Sequence, residues 1–527
     1  MHASAITLSG SVGEAFARTC ARHGEKLALV DGDRRLTFSD LDGLSARVAG
    51  AFLAAGIRPG DVVAYQLPNW WEAVVVFLAG ARLGAIVNPV LPIFRERELE
   101  FIVNQARPSV LVIPGAFRGC DHRALVAGLR ARLSCPARIF VARAEPLADM
   151  HAFASLTDRP QGSTAEAPPA LPNPKPDSIL LLMYTSGTTA APKGVRHTHA
   201  TLTAEVESLE RVHGLTAADT TLMPSPLTHI SGVIHAILTP ALIGTTAVLM
   251  ERWQATEALR LIARERVTYM VGAPTFLRDL TEEVARERYD LSSFRLFSCG
   301  GADVSAALIR RAREHLGCIA KRVYGSTEFP TITTTDAGDA DRMGAHSEGR
   351  VIAPTELRVV GEDGRALPAG CEGEVQARGP ECFVGYSDPA LDAEAFTADG
   401  WFRTGDLGVM DAAGYLRITG RLKDIIIRKG EKFSVRELEE RIARHPGVAD
   451  VAVVAIPDPD TGERACAVVV LTPGATLTLA ELGAFLSAQG LARQKLPERL
   501  EIVDTLPRTE SGKVQRAELR RQLTVGS

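Results

Sequence analysis

An apolar run, Ile179–Met183, opens into Tyr184-Thr-Ser-Gly-Thr-Thr-Ala-Ala-Pro-Lys-Gly-Val195, a loop of hydroxyls, small residues and one lysine. Gly187 and Gly194 can take backbone angles that other residues avoid. Exposed N–H groups and the hydroxyls of Thr185, Ser186, Thr188 and Thr189 can then surround the oxygens of a polyphosphate, and Lys193 adds a point charge. The spacing is not G-x-x-x-x-G-K-[ST], which argues against an ordinary P-loop ATPase or kinase. Helical periodicity over Ala200–Arg211 follows, so the loop is expected at a strand-to-helix junction, a common ligand position in α/β folds. Taken alone, the segment also reads as a solvated surface loop.

The rest of the chain supplies an α/β frame around it. Trp70–Arg82 has a helical pattern and Ala85–Val87 a short buried-strand pattern. Tyr269–Val271, Arg295–Ser298 and Lys321–Tyr324 alternate with helical stretches in a second such unit. Residues 350–420 turn to short strands punctuated by Gly and Pro, which predicts a small barrel-like layer. After Arg421, helix Val435–Arg444, strands Val451–Ile456 and Ala465–Leu471, helix Leu479–Gln489 and a basic tail describe a compact α+β unit. The expected architecture is a large α/β N-terminal domain, 1–422, and a small mobile C-terminal domain, 423–527. The stretch from Leu147 to Asp177 carries six prolines and reads as a surface connector.

Charge and composition exclude several partners. A net charge of −4, with 23% charged and 46% hydrophobic residues, leaves no polyanion-binding surface, so nucleic acid is not expected. Ile230–Met250 has the length of a membrane span but contains His235, Pro240 and Gly244, and is read as a buried helix leading into a core strand. The first residues lack a basic segment followed by an apolar one, and a cytoplasmic address is expected. Eight scattered cysteines without a C-x-x-C pair predict free thiols.

Four further segments follow in order: Tyr324-Gly-Ser-Thr-Glu328, Gly400-Trp-Phe-Arg-Thr-Gly-Asp-Leu-Gly408, Gly420-Arg-Leu-Lys-Asp424 and Pro507-Arg-Thr-Glu-Ser-Gly-Lys513. With the first loop they resemble the adenylate-forming superfamily of acyl-CoA synthetases, peptide-synthetase adenylation domains and luciferases, over about residues 12–520. Leu67-Pro-Asn-Trp-Trp-Glu72 and Pro92-Ile-Phe-Arg-Glu-Arg-Glu-Leu99 look like the cyclohexanecarboxylate-CoA ligases and short-chain fatty acyl-CoA synthetases within it.

The resemblance implies an ATP- and Mg²⁺-dependent enzyme that turns a carboxylic acid into acyl-AMP and passes the acyl group to coenzyme A. Thr185, Ser186, Gly187, Thr188, Thr189 and Lys193 would hold the departing pyrophosphate, although Ala190 stands where the family usually has glycine. In the second motif, Tyr324 offers a stacking face for adenine, Thr327 a hydrogen bond to the α-phosphate and Glu328 a hard oxygen for Mg²⁺; Gly325 and Ser326 complete the turn. Cys299-Gly300-Gly301-Ala302 has room for adenine on one side and the acyl group on the other. Asp406 and Arg421 resemble the ribose contacts, and His229 in Pro226-Leu-Thr-His-Ile-Ser-Gly232 resembles the residue beside the acid. Lys513 is similar to the lysine that neutralises charge between carboxylate and α-phosphate. Lys423 would be the hinge, and Gly430 would line the pantetheine tunnel. There Lys432-Phe433 departs from the Asn-Ile common in similar synthetases.

His197 and His199 form H-x-H, but with no acidic or thiol partner nearby the reading is a helix start rather than a metal site. The acid is alicyclic, polycyclic or short to medium in chain length, and the protein is expected to be a monomer or homodimer. An adenylate donor to a partner enzyme or carrier protein, a luciferase-like oxygenase and a non-catalytic nucleotide binder remain as alternatives.

Overall fold

The computed structural model describes residues 10–135, 137–158, 171–185, 192–301, 304–336, 338–428, 431–458, 462–491, 493–508 and 514–525. Two sheets form the large N-terminal part. In the first, Leu27–Asp31, Thr246–Leu249, Thr220–Met223, Tyr269–Gly272, Leu296–Gly300 and Ile319–Tyr324 run parallel as neighbours in that order. Burial on nearly every residue of Thr246–Leu249, Tyr269–Gly272 and Leu296–Gly300 fits strands covered on both faces. The second sheet has Val62–Tyr65, Ile86–Pro89, Val110–Pro114 and Arg138–Ala142 in parallel, and ends on the antiparallel pair Ile179–Thr185 and Lys193–Thr198.

Helix Trp71–Leu83 joins the two sheets. It is apolar on all sides, and only Arg82 among its residues is not buried, as expected of a helix inside a core rather than on a surface. It touches strands of both sheets. A Cβ on Gly80 would come within 2.5 Å of Val87 Cγ2, so glycine permits that close approach. Each fully buried large side chain in this core, such as Phe77 or Leu78, contributes about 1.5–3 kcal/mol of transfer free energy.

The stretch that has the length of a membrane span is broken into helix Ile230–Val233, a wider π turn Ile234–Leu238, helix Thr239–Ile243 and strand Thr246–Leu249. Pro240 has no N–H to donate, and the Thr239 hydroxyl donates to the Ile234 carbonyl at 2.8 Å where the ladder widens. Among the described residues no helix is long and apolar enough to cross a membrane. All eight cysteines are free.

The expected barrel-like layer is a four-stranded antiparallel meander, Glu356–Val360, Glu372–Arg378, Phe402–Met410 and Leu416–Arg421; among the described residues its first and last strands do not pair, so it is open. A short 3₁₀ turn, Leu422–Asp424, separates it from a five-stranded sheet built on the long hairpin Val448–Asp458 and Gly462–Leu471. Helices Val435–Ile442 and Leu479–Ala488 pack on that sheet around Leu438, Ile442, Leu482 and Leu486. This small C-terminal unit thus has its own core. Residues 159–170 of the proline-rich connector lie outside the described residues.

Candidate active site

The parallel strands of the first sheet all end on one edge, and the strand ends and loops there carry many of the candidate residues. His229 follows Thr220–Met223, Gly300 and Gly301 end Leu296–Gly300, and Tyr324 through Glu328 leave Ile319–Tyr324. Ligands of α/β proteins sit at such carboxyl ends.

The phosphate loop is not at a strand-to-helix junction. Its described ends, Thr185 and Lys193, pair with each other in an antiparallel ladder that runs back to Ile179↔Thr198, and the helix His199–His213 begins only after the second strand. The strand Lys193–Thr198 is hard to read locally because it contains Lys, Gly and Arg. It is held by non-local contacts: Val195 bridges Tyr386, the Ser387 N–H donates to the Gly194 carbonyl at 2.7 Å, and a Cβ on Gly194 would meet Ser387 Oγ at 2.4 Å. Residues 186–191, with Ser186, Gly187, Thr188 and Thr189, lie outside the described residues, as do Ala302, Gly430 and Lys513.

One direct link and two contacts through the Phe383–Tyr386 segment hold the Tyr324–Glu328 turn beside the hairpin. The fully buried His197 puts Nε2 at 2.8 Å from the Thr327 carbonyl, which can only accept, so Nε2 carries the proton and Nδ1 faces Thr201 Oγ1 at 3.1 Å. Burial pushes this imidazole down to about 4, which keeps it neutral. The Phe383 N–H donates to the Glu328 carbonyl at 2.8 Å. Finally, the Tyr386 hydroxyl donates to Glu328 Oε1 at 2.9 Å while its ring lies 5.1 Å from Lys193 Nζ.

No helix follows the Ser-Thr-Glu turn, so Glu328 is not a cap; the turn is closed by Ser326 N–H to the Phe329 carbonyl at 2.9 Å and Phe329 N–H to Ser326 Oγ at 3.2 Å. A Cβ on Gly325 would sit 2.0 Å from the Pro330 carbonyl oxygen. Among the described residues the Glu328 carboxylate forms no ion pair.

Asp406 lies across the strand pair from Arg421, whose Nε holds Oδ1 at 2.9 Å, and the Tyr324 hydroxyl donates to Oδ2 at 2.7 Å. Burial and the neighbouring Asp406 charge raise the Tyr324 phenol well above its ordinary range, so it remains a donor. At the end of Leu296–Gly300, Cys299 is fully buried, with its thiol raised by that burial, and a Cβ on Gly300 would meet the Val323 carbonyl oxygen at 2.5 Å. Gly301 takes φ of +81°, a conformation suited to glycine.

His229 caps the helix Ile230–Val233, with Nδ1 3.0 Å from Ser231 Oγ. Its loop is fixed from the Leu67–Glu72 motif: Asn69 Nδ2 donates to the Met223, Ser225 and Met250 carbonyls, its Oδ1 accepts from the Leu227 N–H at 2.8 Å, and the Tyr65 hydroxyl donates to the Leu227 carbonyl at 2.9 Å.

Sequence reasoning missed Tyr386, His197 and Asn69. Asn69 stood inside a motif already singled out, and its burial was the missing signal.

The pattern of the AMP-binding enzyme family covers residues 16–387, and that of the AMP-binding enzyme C-terminal domain covers 437–513. The chain belongs to the AMP-binding enzyme family. A medium-chain fatty-acid–CoA ligase of Escherichia coli is 36% identical over 97% of this chain and 90% of its own length. A Rhodococcus jostii CoA ligase, named for a 7a-methyl-1,5-dioxo-octahydro-indenyl propanoyl group, is 33% identical over 96% of this chain and 98% of its own. The solved structure of ATP-bound MatB from Rhodopseudomonas palustris superposes with a TM-score of 0.86 at 28% identity, covering 97% of this chain and 98% of that one. This AMP-binding enzyme is an AMP-forming acid–thiol ligase.

Proposed function

We propose that the protein activates a hydrophobic carboxylic acid, medium-chain or alicyclic, with ATP and Mg²⁺ and then forms its CoA thioester. The observation that carries this reading is the convergence of the Lys193 hairpin, Glu328 and the Tyr324–Asp406–Arg421 cluster around one sheet edge.

In the first half-reaction a carboxylate oxygen attacks the α-phosphorus and the bond to the β-phosphate breaks, giving acyl-AMP and pyrophosphate. Thr185 through Thr189 and Lys193 take the departing phosphates, Thr327 the α-phosphate, and Asp406 and Arg421 the ribose. Lys513 neutralises charge on the attacked phosphate. Glu328 is the residue that would hold Mg²⁺, and it fits: a hard, partly exposed carboxylate whose described partner is a neutral phenol. Bound there, Mg²⁺ offsets charge on the phosphate oxygens.

In the second half-reaction the small domain, 423–527, turns about Lys423, withdraws Lys513 and brings Gly430 to the pantetheine path. The CoA thiol adds to the acyl carbonyl and AMP leaves. Closure around the adenylate keeps water out. His229, Cys299, Gly300 and Gly301 bound the acyl pocket, and the small wall at 300–301 suits a broad ring as well as a flexible chain. We place the enzyme in the cytoplasm as a monomer or homodimer. Lys432-Phe433 beside the tunnel glycine favours one second reading, in which a partner enzyme or carrier protein takes the acyl group.

Acid-dependent exchange of labelled pyrophosphate into ATP across fatty, alicyclic and aromatic acids tests the reading. Exchange with medium-chain or alicyclic acids supports it, and no exchange with any acid overturns it.

A further inference from the structure

Glu328 and Lys193 are far apart in sequence, and neither touches the other through an ion pair among the described residues. Both instead meet one side chain. Tyr386 is buried at 4% exposure, with its hydroxyl on Glu328 Oε1 at 2.9 Å and its ring 5.1 Å from Lys193 Nζ. Its backbone is equally fixed: its N–H donates to Asp392 Oδ1 at 2.7 Å, and it pairs with Val195 on the hairpin. Phe383 packs edge-on against it, with the ring centroids 4.9 Å apart. The phenol therefore has one direction in which to point.

We propose that Tyr386 is a positioning residue that couples the carboxylate of Glu328 to the ammonium of Lys193. The inference rests on the nucleotide-binding reading above. The hydroxyl fixes one oxygen of Glu328 and leaves the other turned to the metal–nucleotide complex, while the ring face steadies the lysine that meets the leaving phosphates. Glu328 and Lys193 act at two points of one triphosphate, so a rigid aromatic between them sets their separation without adding charge. A phenol does this where a cation would compete with the metal for Glu328.

Two substitutions separate the halves. Tyr386→Phe keeps the ring and removes the hydroxyl; Tyr386→Leu removes both. Binding is read by the electron paramagnetic resonance of Mn²⁺ titrated with ATP, and binding of metal-free ATP is read by equilibrium dialysis. Tyr386→Phe should weaken Mn²⁺·ATP by about tenfold, the scale of one charge-assisted hydrogen bond, with metal-free ATP unchanged and the half-saturating Mg²⁺ for pyrophosphate exchange raised in parallel. Tyr386→Leu should weaken both forms of ATP. Wild-type Mn²⁺·ATP binding in Tyr386→Phe would overturn the Glu328 half. Equal metal-free ATP binding in Phe and Leu variants would overturn the Lys193 half. Wild-type protein that binds Mn²⁺·ATP but exchanges pyrophosphate with no acid overturns the ligase reading and not this one. If Tyr386→Leu fails to fold, Tyr386→Met, which fills the space without an aromatic face or a hydroxyl, replaces it.

Discussion

The Tyr324 hydroxyl and the Arg421 guanidinium hold opposite oxygens of the Asp406 carboxylate, at 2.7 and 2.9 Å. The carboxylate is thus oriented before any nucleotide arrives, and each oxygen keeps a lone pair for a further donor. Asp406→Ala should weaken ATP binding and narrow the preference for ATP over 2′- or 3′-deoxy-ATP. Competitive binding of the three nucleotides checks this, and an unchanged preference removes Asp406 from the ribose site.

His197 joins the hairpin to Thr327 from inside the core. His197→Leu leaves the half-buried Thr327 carbonyl without its donor, at a cost of about 1–3 kcal/mol, while the Thr201 hydroxyl keeps the N–H and carbonyl of Thr198. Pyrophosphate exchange should fall more steeply than stability alone explains, because the Thr327 turn loses its anchor. His197→Gln, which can still donate to the carbonyl, should recover part of the rate; no recovery would count against the anchor.

Glu205 supplies a pH test. It is fully buried on the helix His199–His213, where the Thr331 hydroxyl donates to Oε1 at 2.6 Å and Oε2 has no partner. Burial, reinforced by nearby Glu381, raises its carboxyl from 4.5 to about 8. A raised folded-state value means that the folded form holds a proton the unfolded chain has released. Its relative stability is therefore full below pH 4.5 and lost progressively as pH rises to about 8. Glu205→Gln should remove this slope, making the variant more stable relative to wild type at pH 8.5 than at pH 5, on the order of a few kcal/mol. Denaturant unfolding at the two pH values decides; the same difference at both would refute the assignment.

The motifs were legible because each puts its chemistry in consecutive residues: Thr185 to Lys193, Tyr324 to Glu328, Thr404 to Asp406. Strands that end on the site edge were legible too, since Tyr269–Gly272 is a continuous apolar run and Leu296–Gly300 is broken only by Ser298. What escaped was non-local. Lys193–Thr198 becomes a strand only by pairing with Ile179–Thr185 and with the backbone at Tyr386, and local propensity carries no trace of that. Tyr386 lies 58 positions from Glu328, so no spacing rule connects them. Asn69 was visible as part of a kinship motif, but its role as the clamp of the His229 loop depends on three carbonyls from distant segments.

Lys513 carries the sharpest division between the two half-reactions. Lys513→Ala should lower pyrophosphate exchange by about 10²–10³-fold, the scale for one charge-stabilising donor, yet still convert pre-formed acyl-AMP to thioester when CoA is added. Near-wild-type exchange in the variant would remove Lys513 from the adenylation step.

The most direct test of the ligase reading is product analysis by mass spectrometry after incubation of the wild-type protein with ATP, Mg²⁺, CoA and a panel of medium-chain and alicyclic acids. Acyl-CoA and AMP should form in equal amounts with at least one acid of the panel. Accumulation of acyl-AMP with no thioester from any acid would contradict the account and move the acyl group to a different acceptor.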